Sequence, residues 1–260
     1  MEWPIEDPLR GHLQLEDRYG SEILTFIPNR EGYLSIFRKP QPGRKYVIGS
    51  DVAEGIEIDG APTDNRYDKS SGDVIDRHTG EQVAHLHGHF EPDEFGRQLA
   101  LLGRYYNNAF QGVERNSQGL TVLNEMGHQG YPAGLLFSRS SGLDGAHYST
   151  PKQGWETTSV TRPVMINHLA QAIRERSLIV HHRDTQSEFL TFVIKPTGKA
   201  EAQEGHHDDR VFSLGIALEM LNQAPPDSIK VEDTAIETRP TSYRPKHYAP
   251  TSRFASARLN

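Results

Sequence analysis

From residue 45 onward the apolar positions fall into short runs closed by turn residues. Tyr46-Val47-Ile48 leads into Gly49-Ser50-Asp51 and then the small residues Ala53 and Gly55. A β-branched and aromatic run ending on turn formers predicts a buried strand, and the C-terminal end of such a strand is where a sheet presents chemistry. Residues 73–76 and 82–90, joined through Thr79-Gly80, predict an antiparallel hairpin. The period then changes. Phe95, Leu99, Leu102 and Tyr106 recur at helical spacing behind Pro92, Asp93 and Glu94, which suit a helix start. Three meandering strands followed by a helix is the order this predicts.

Residues 110–114 read as a short strand ending on Glu114. Ser117 can cap the next helix, which carries Leu120, Val122, Leu123 and Met126 and stops at Gly127 or Gly130. Residues 135–137 predict a brief strand and 138–156 a surface loop or small hairpin. Thr161-Arg162-Pro163 opens a helix with Val164, Ile166, Leu169 and Ile173. Residues 178–180 predict a strand, and 184–188 a helical turn before the apolar run 189–194. A last helix has Asp208 and Asp209 at its start and Val211, Leu214, Leu218 and Leu221 as its apolar face.

Upstream, the apolar pieces 23–27 and 33–37, punctuated by Asn29, Gly32, Pro40 and Pro42, predict a lead-in hairpin or linker over 1–40. Residues 56–72 form a polar loop long enough to be functional. Residues 226–260, with Pro240, Pro245 and Pro250, read as a polar, flexible tail. The body, 41–225, is therefore an α/β domain: a mixed sheet, part antiparallel meander and part parallel, flanked by helices.

Composition narrows the chemistry. There are no cysteines, so disulfides and thiolate metal sites are excluded, and any metal is held by carboxylate, imidazole, carbonyl or water. The net charge of −7 argues against a broadly basic nucleic-acid binder but allows a local basic groove. A mean hydropathy of −0.65, no basic-then-apolar start and no long apolar stretch predict a soluble, cytoplasmic protein with no membrane partner.

Three elements deliver carboxylates: Asp51 at the end of one strand, Glu114 at the end of another, and the pair Asp208 and Asp209 at a helix start. If the first strand lies beside the fourth, these acids share one sheet edge. Acids so gathered repel unless protonated or bridged by metal. Two Mg²⁺ or Mn²⁺ ions about 3.5–4 Å apart would relieve that repulsion and serve in-line attack of water on a phosphodiester. Each acid also has a plain structural role open to it. Asp51 suits a turn, Asp208 and Asp209 suit a helix N-terminus, and Glu114 has Arg115 nearby, although strand alternation points Arg115 to the opposite face.

The set 46–55, Val113 to Gly119, Gly154-Trp155-Glu156-Thr157 with Thr161-Arg162-Pro163, and His207 to Val211 resembles the nuclease domain of the large terminase subunit of tailed bacteriophages, over roughly residues 20 to 223. The resemblance implies a ribonuclease H-like fold and a metal-dependent endonuclease that cuts concatemeric DNA during genome packaging in the bacterial host cytoplasm. It implies double-stranded DNA, the portal protein and the small terminase subunit as partners. Carried over by position, Asp51 is the first acid, Glu114 the second, and the Asp208–Asp209 pair supplies the third, with Asp209 the favoured direct ligand. The family's large subunit also carries an ATPase, but no Gly-x-x-x-x-Gly-Lys-Ser/Thr loop occurs here, so ATP-driven translocation is not attributed to these residues. The competing readings are a Holliday-junction-resolvase-like nuclease and a non-catalytic module docking on portal or DNA.

His207 and Asn116 sit beside the acids as candidate supports. Arg66, Lys69, Arg139, Lys152, Arg162 and Lys195 fall in loops or helix starts where phosphate contacts are expected. His85, His87 and His89 alternate along one strand and so share one face, which reads as a solvated sheet face rather than a metal comb.

Overall fold

The computed structural model describes residues 5–18, 21–53, 68–116, 118–139, 151–195 and 199–226. Seven strands make one mixed sheet: β1 (Leu9–Arg18), β2 (Ser21–Pro28), β3 (Leu34–Ile36), β4 (Tyr46–Asp51), β5 (Ser70–Asp76), β6 (Gln82–Gly88) and β7 (Phe110–Val113), in the order β2-β1-β3-β6-β5-β4-β7. All neighbours are antiparallel except β4 and β7, which run parallel. The meander, the following helix and the parallel fourth strand stand as the apolar pattern predicts.

Strand alternation sorts the core into two halves. Ile48, Val74, Leu86 and Val113 face the cluster built by α1 (Pro92–Tyr105) and α2 (Gly119–His128). Val47 and Ile75 face the opposite cluster, made with α3 (Thr161–Glu175) and α5 (Asp209–Gln223). Helix α5 lies across β4, β5 and β7. Its approach is close enough that a Cβ on Gly49 would stand 1.9 Å from the Ala217 nitrogen and 2.5 Å from the Ser213 carbonyl oxygen. A polar seam also joins it to the sheet. The Ser213 hydroxyl donates to Asp73 Oδ2 at 2.5 Å and lies 2.8 Å from the Ser71 hydroxyl. Asp73 Oδ1 in turn accepts from Gln82 Nε2 at 2.6 Å.

Four elements differ from the sequence expectation. The apolar piece at 23–27 does form a hairpin, but with residues 9–18, and that hairpin joins β3 and hence the main sheet. Its first strand alternates Leu13 and Leu15 with Gln14 and Glu16, a half-covered pattern that short-run searching passes over. Residues 135–137 give no strand. Behind Pro132 the chain makes a single 3-10 turn, Ala133–Leu135, and only Leu136 bridges to Gln111. The apolar run 189–194 is divided between α4 (Arg183–Thr191) and a three-residue strand, Phe192–Ile194. Phe189 packs inward from the helix, while Leu190 is 84% exposed. Finally, α5 has no single apolar face: it is buried continuously from Val211 to Met220, because α3 and α4 cover its outer side. The lone bridge of Ile179 to Glu81 stands where a strand is expected at 178–180. Ser117, most of the 56–72 loop and the 227–260 tail lie outside the described residues.

Candidate functional site

Register places the acids. Ser50 pairs with Val113 in the parallel β4–β7 ladder, so Asp51 and Glu114, one residue further along each strand, stand side by side. Asp51 also pairs with Ser71 on β5, and Ser71 with His87 on β6. Residues in register across adjacent strands point to the same face, so Glu114, Asp51, Ser71 and His87 form one row on the face that α5 covers. Helix α5 sets Ser213 and Ala217 against Gly49 and its first residue, Asp209, beside Lys69, directly before β5. Its N-terminal Asp208 and Asp209 therefore come to the end of the sheet where Asp51 sits.

The carboxyls feel one another strongly. Burial, although part of Asp51 stays exposed, is the main cause that pushes its carboxyl well above the ordinary range. A hydrogen bond and charge repulsion from Glu114, then the charges of Asp209 and Asp208, add to the rise. Asp209 is pushed up to about 8, mainly by burial and next by the charge of Glu188, against an opposing hydrogen bond. In that bond its Oδ2 accepts the Lys69 backbone N–H at 3.1 Å. Burial also raises Asp208, which is less enclosed: it accepts the Ala202 N–H at 3.3 Å and lies 3.7 Å from Arg162. Of the adjacent pair, Asp209 is the more deeply set and acts more strongly on Asp51. Among the described residues, no three His, Cys, Asp or Glu stand close enough together to form a finished metal cage. The donor set is nonetheless all carboxylate and mutually repelling, which is the chemistry a hard divalent cation matches.

Asn116 has a defined place. Its Nδ2 donates to the Val52 carbonyl at 2.7 Å and reaches Glu114 Oε2 at 3.5 Å, while its Oδ1 accepts the Gly119 N–H that opens α2. One side chain thus ties Glu114, the end of β4 and a helix start together. His207 is buried, with Nδ1 3.7 Å from Asp209 Oδ2.

The basic candidates separate. Lys69 lies beside Asp209. Arg139 and Lys152 are exposed partners across a two-residue ladder joining Ser138–Arg139 to Lys152–Gln153. Arg162 is turned inward, donating to the Ala200 carbonyl and stacking 4.3 Å over the Phe212 ring. Lys195 is held 2.5 Å from Glu201. Arg66 lies outside the described residues.

The histidine row is not a solvated face. His85 is 1% exposed, with Nδ1 3.0 Å from Asp73 Oδ1 and its ring 4.3 Å from that of His182. His87 is largely enclosed, and its Nδ1 accepts from Arg210 at 3.1 Å; His89 alone of the three is exposed. What meets the row comes from distant parts of the chain: His182 against His85 and Arg210 against His87, with Arg10 on β1 lining the same cavity. Strand alternation alone does not reveal them. Arg210 offered a visible signal, standing directly after Asp209. It is anchored to the buried Glu188, whose carboxyl burial pushes up to about 7 against the pull of that guanidinium.

The fold defined by this sheet and its helices is a ribonuclease H-like α/β fold, that of the phage large-terminase nucleases. No protein-family profile matches the sequence. The large terminase nuclease of thermophilic phage G20c with bound cobalt superposes with a TM-score of 0.55 at 19% identity, covering 81% of this chain and 93% of that one. The same G20c nuclease with bound magnesium gives 0.53 at 19% identity, over 81% and 93%. The large terminase nuclease domain of Thermus phage P74-26 gives 0.52 at 20% identity, over 74% and 87%. Among the described residues no helix is long and apolar enough to cross a membrane.

Proposed function

We propose that this protein is a metal-dependent DNA endonuclease of the phage-packaging kind, in which Asp51, Glu114 and Asp209, with Asp208 beside them, hold two divalent cations. The observation that carries this reading is the meeting of carboxylates from three separate elements at one sheet end, with Asp51 and Asp209 both raised by burial and by other acids. Acids so placed are held apart from the ordinary carboxylate range unless cations neutralise them. Mg²⁺ or Mn²⁺ held by these acids would supply positive charge at the phosphate and make a water more acidic for hydrolysis. The likeness to nucleases solved with magnesium and with cobalt agrees in kind.

The chain's own groups prepare the site. Asn116, itself held by the Val52 carbonyl and the Gly119 N–H, stands beside the Glu114 carboxylate, and the Lys69 N–H bonds Asp209 Oδ2. The row of acids offers no side-chain nucleophile paired with a base among the described residues, so water is the attacking group. Double-stranded DNA is the substrate this reading takes, with portal and small terminase subunits as packaging partners in the host cytoplasm. The test is plasmid digestion with Mn²⁺. Wild-type protein cuts; Glu114→Ala loses cutting by about 10²-fold or more, as removal of a charge-stabilising group does. Equal cutting by both would overturn the assignment.

A further inference from the structure

Beside the acids, on the same sheet face, lies a cavity of about 330 Å³ lined by Arg10, Lys69, His85, His87, His182 and Arg210, with the exposed Glu31 as the one acid among its described lining residues. It shares a wall with the candidate centre. His87 Nε2 is 3.9 Å from Asp209 Oδ2, Lys69 bonds Asp209 through its backbone, and Arg210 follows Asp209 in sequence. His87 stands two strands from Asp51 in register, about 10 Å at ordinary strand spacing.

Two ring nitrogens here lack hydrogen-bond partners, His85 Nε2 and His87 Nε2. Arginine only donates, so the Arg210 bond makes His87 Nδ1 an acceptor and leaves the hydrogen of the neutral ring on Nε2. That is an enclosed N–H donor with no acceptor in bonding range. The Asp73 carboxylate only accepts, so His85 Nδ1 donates to it and Nε2 is the atom left over at the cavity. Of the two, His87 Nε2–H is the donor that an acceptor oxygen of a guest can take. Buried polar groups left unmatched cost free energy, and a guest with several acceptor oxygens and negative charge removes that cost.

We infer that this cavity is a phosphate subsite that grips a second, uncut phosphate of the DNA strand held at Asp51 and Glu114. The inference rests on the nuclease reading for its ligand and supplies what that reading lacks, a feature setting where along the strand the cut falls.

The test uses the full chain carrying Asp51→Asn, with histidine ring resonances followed by NMR as a short DNA duplex or inorganic phosphate is added. DNA moves the His85 and His87 ring signals, and inorganic phosphate competes for the same shifts. Arg10→Ala, at an exposed position that leaves the fold untouched, weakens duplex binding and lowers the salt slope by about 0.9, the value of one phosphate contact. Ring signals that ignore DNA, or that answer only to free phosphate, overturn the inference, as does an unchanged salt slope. The two readings fail separately. Mn²⁺-dependent cutting by the wild type with silent histidines removes the subsite alone, whereas DNA-shifted histidines in a protein that never cuts remove the nuclease and leave the subsite.

Discussion

Asp209 concentrates the electrostatics of the site, since it is enclosed, acidic and surrounded by other acids. A carboxyl raised from 3.8 to about 8 binds its proton in the folded state across a range where the unfolded chain has lost it. With more protons on the native state, unfolding free energy falls as pH rises between about 4 and about 8. In the metal-free protein the contribution of Asp209 therefore falls through this window, by on the order of a few kcal/mol, and the depressed His87 and His182 oppose it only below about pH 6.5. Mn²⁺ restores it, because the cation takes the place of the proton. Thermal melts at pH 6.5 and pH 8, with and without Mn²⁺, check this; a metal-free melting temperature that does not fall toward pH 8 would contradict it. Asn116 gives a second prediction at this scale. Asn116→Ala frees Glu114 and removes the acceptor at the start of α2, so stability drops by about 1 kcal/mol and Mn²⁺-dependent cutting falls. Chemical denaturation and plasmid digestion read the two effects. Asp51 and Glu114 stood out in the sequence because each closes a short strand run, 46–50 and 110–113. Asn116 was legible only as a neighbour, since its three bonds join residues 52, 114 and 119.

Among the elements, α5 decides whether the acids meet. Its seat depends on Gly49, where any Cβ collides with helix backbone rather than with a side chain free to swing aside. Gly49→Ala should cost about 3 kcal/mol or prevent folding. Gly127→Ala is the contrast: it lies within α2, where an added Cβ would meet nothing within 4 Å, and should stabilise by about 0.5–1 kcal/mol. Urea denaturation of the pair compares them directly. The elements that read true from sequence were those whose burial pattern is local, such as α1 with Phe95, Leu99 and Leu102 on one side. Those that misread depend on distant cover. Helix α5 carries polar Ser213 and Glu219 yet is buried all round, because Ser213 finds Asp73 and Glu219 finds His168. His85 looked solvent-facing because His182, whose ring lies against it, stands 97 positions away in the chain.

For the whole molecule, a net charge of −7 means that the DNA binding the nuclease reading requires has to come from local basic groups and not from overall charge. Arg139 and Lys152, exposed side by side, are outward cations suited to the backbone. Arg139→Ala with Lys152→Ala should weaken duplex binding evenly across sequences and flatten its salt dependence. Fluorescence titrations at several salt concentrations check this. The central claim is that acids remote in sequence bind divalent cations together at one sheet end. Its most direct test is a crystal of the protein soaked in Mn²⁺ and measured for anomalous scattering. The account predicts manganese peaks bounded by Asp51, Glu114 and Asp209; peaks confined to other surfaces, or none at this sheet end, would contradict it.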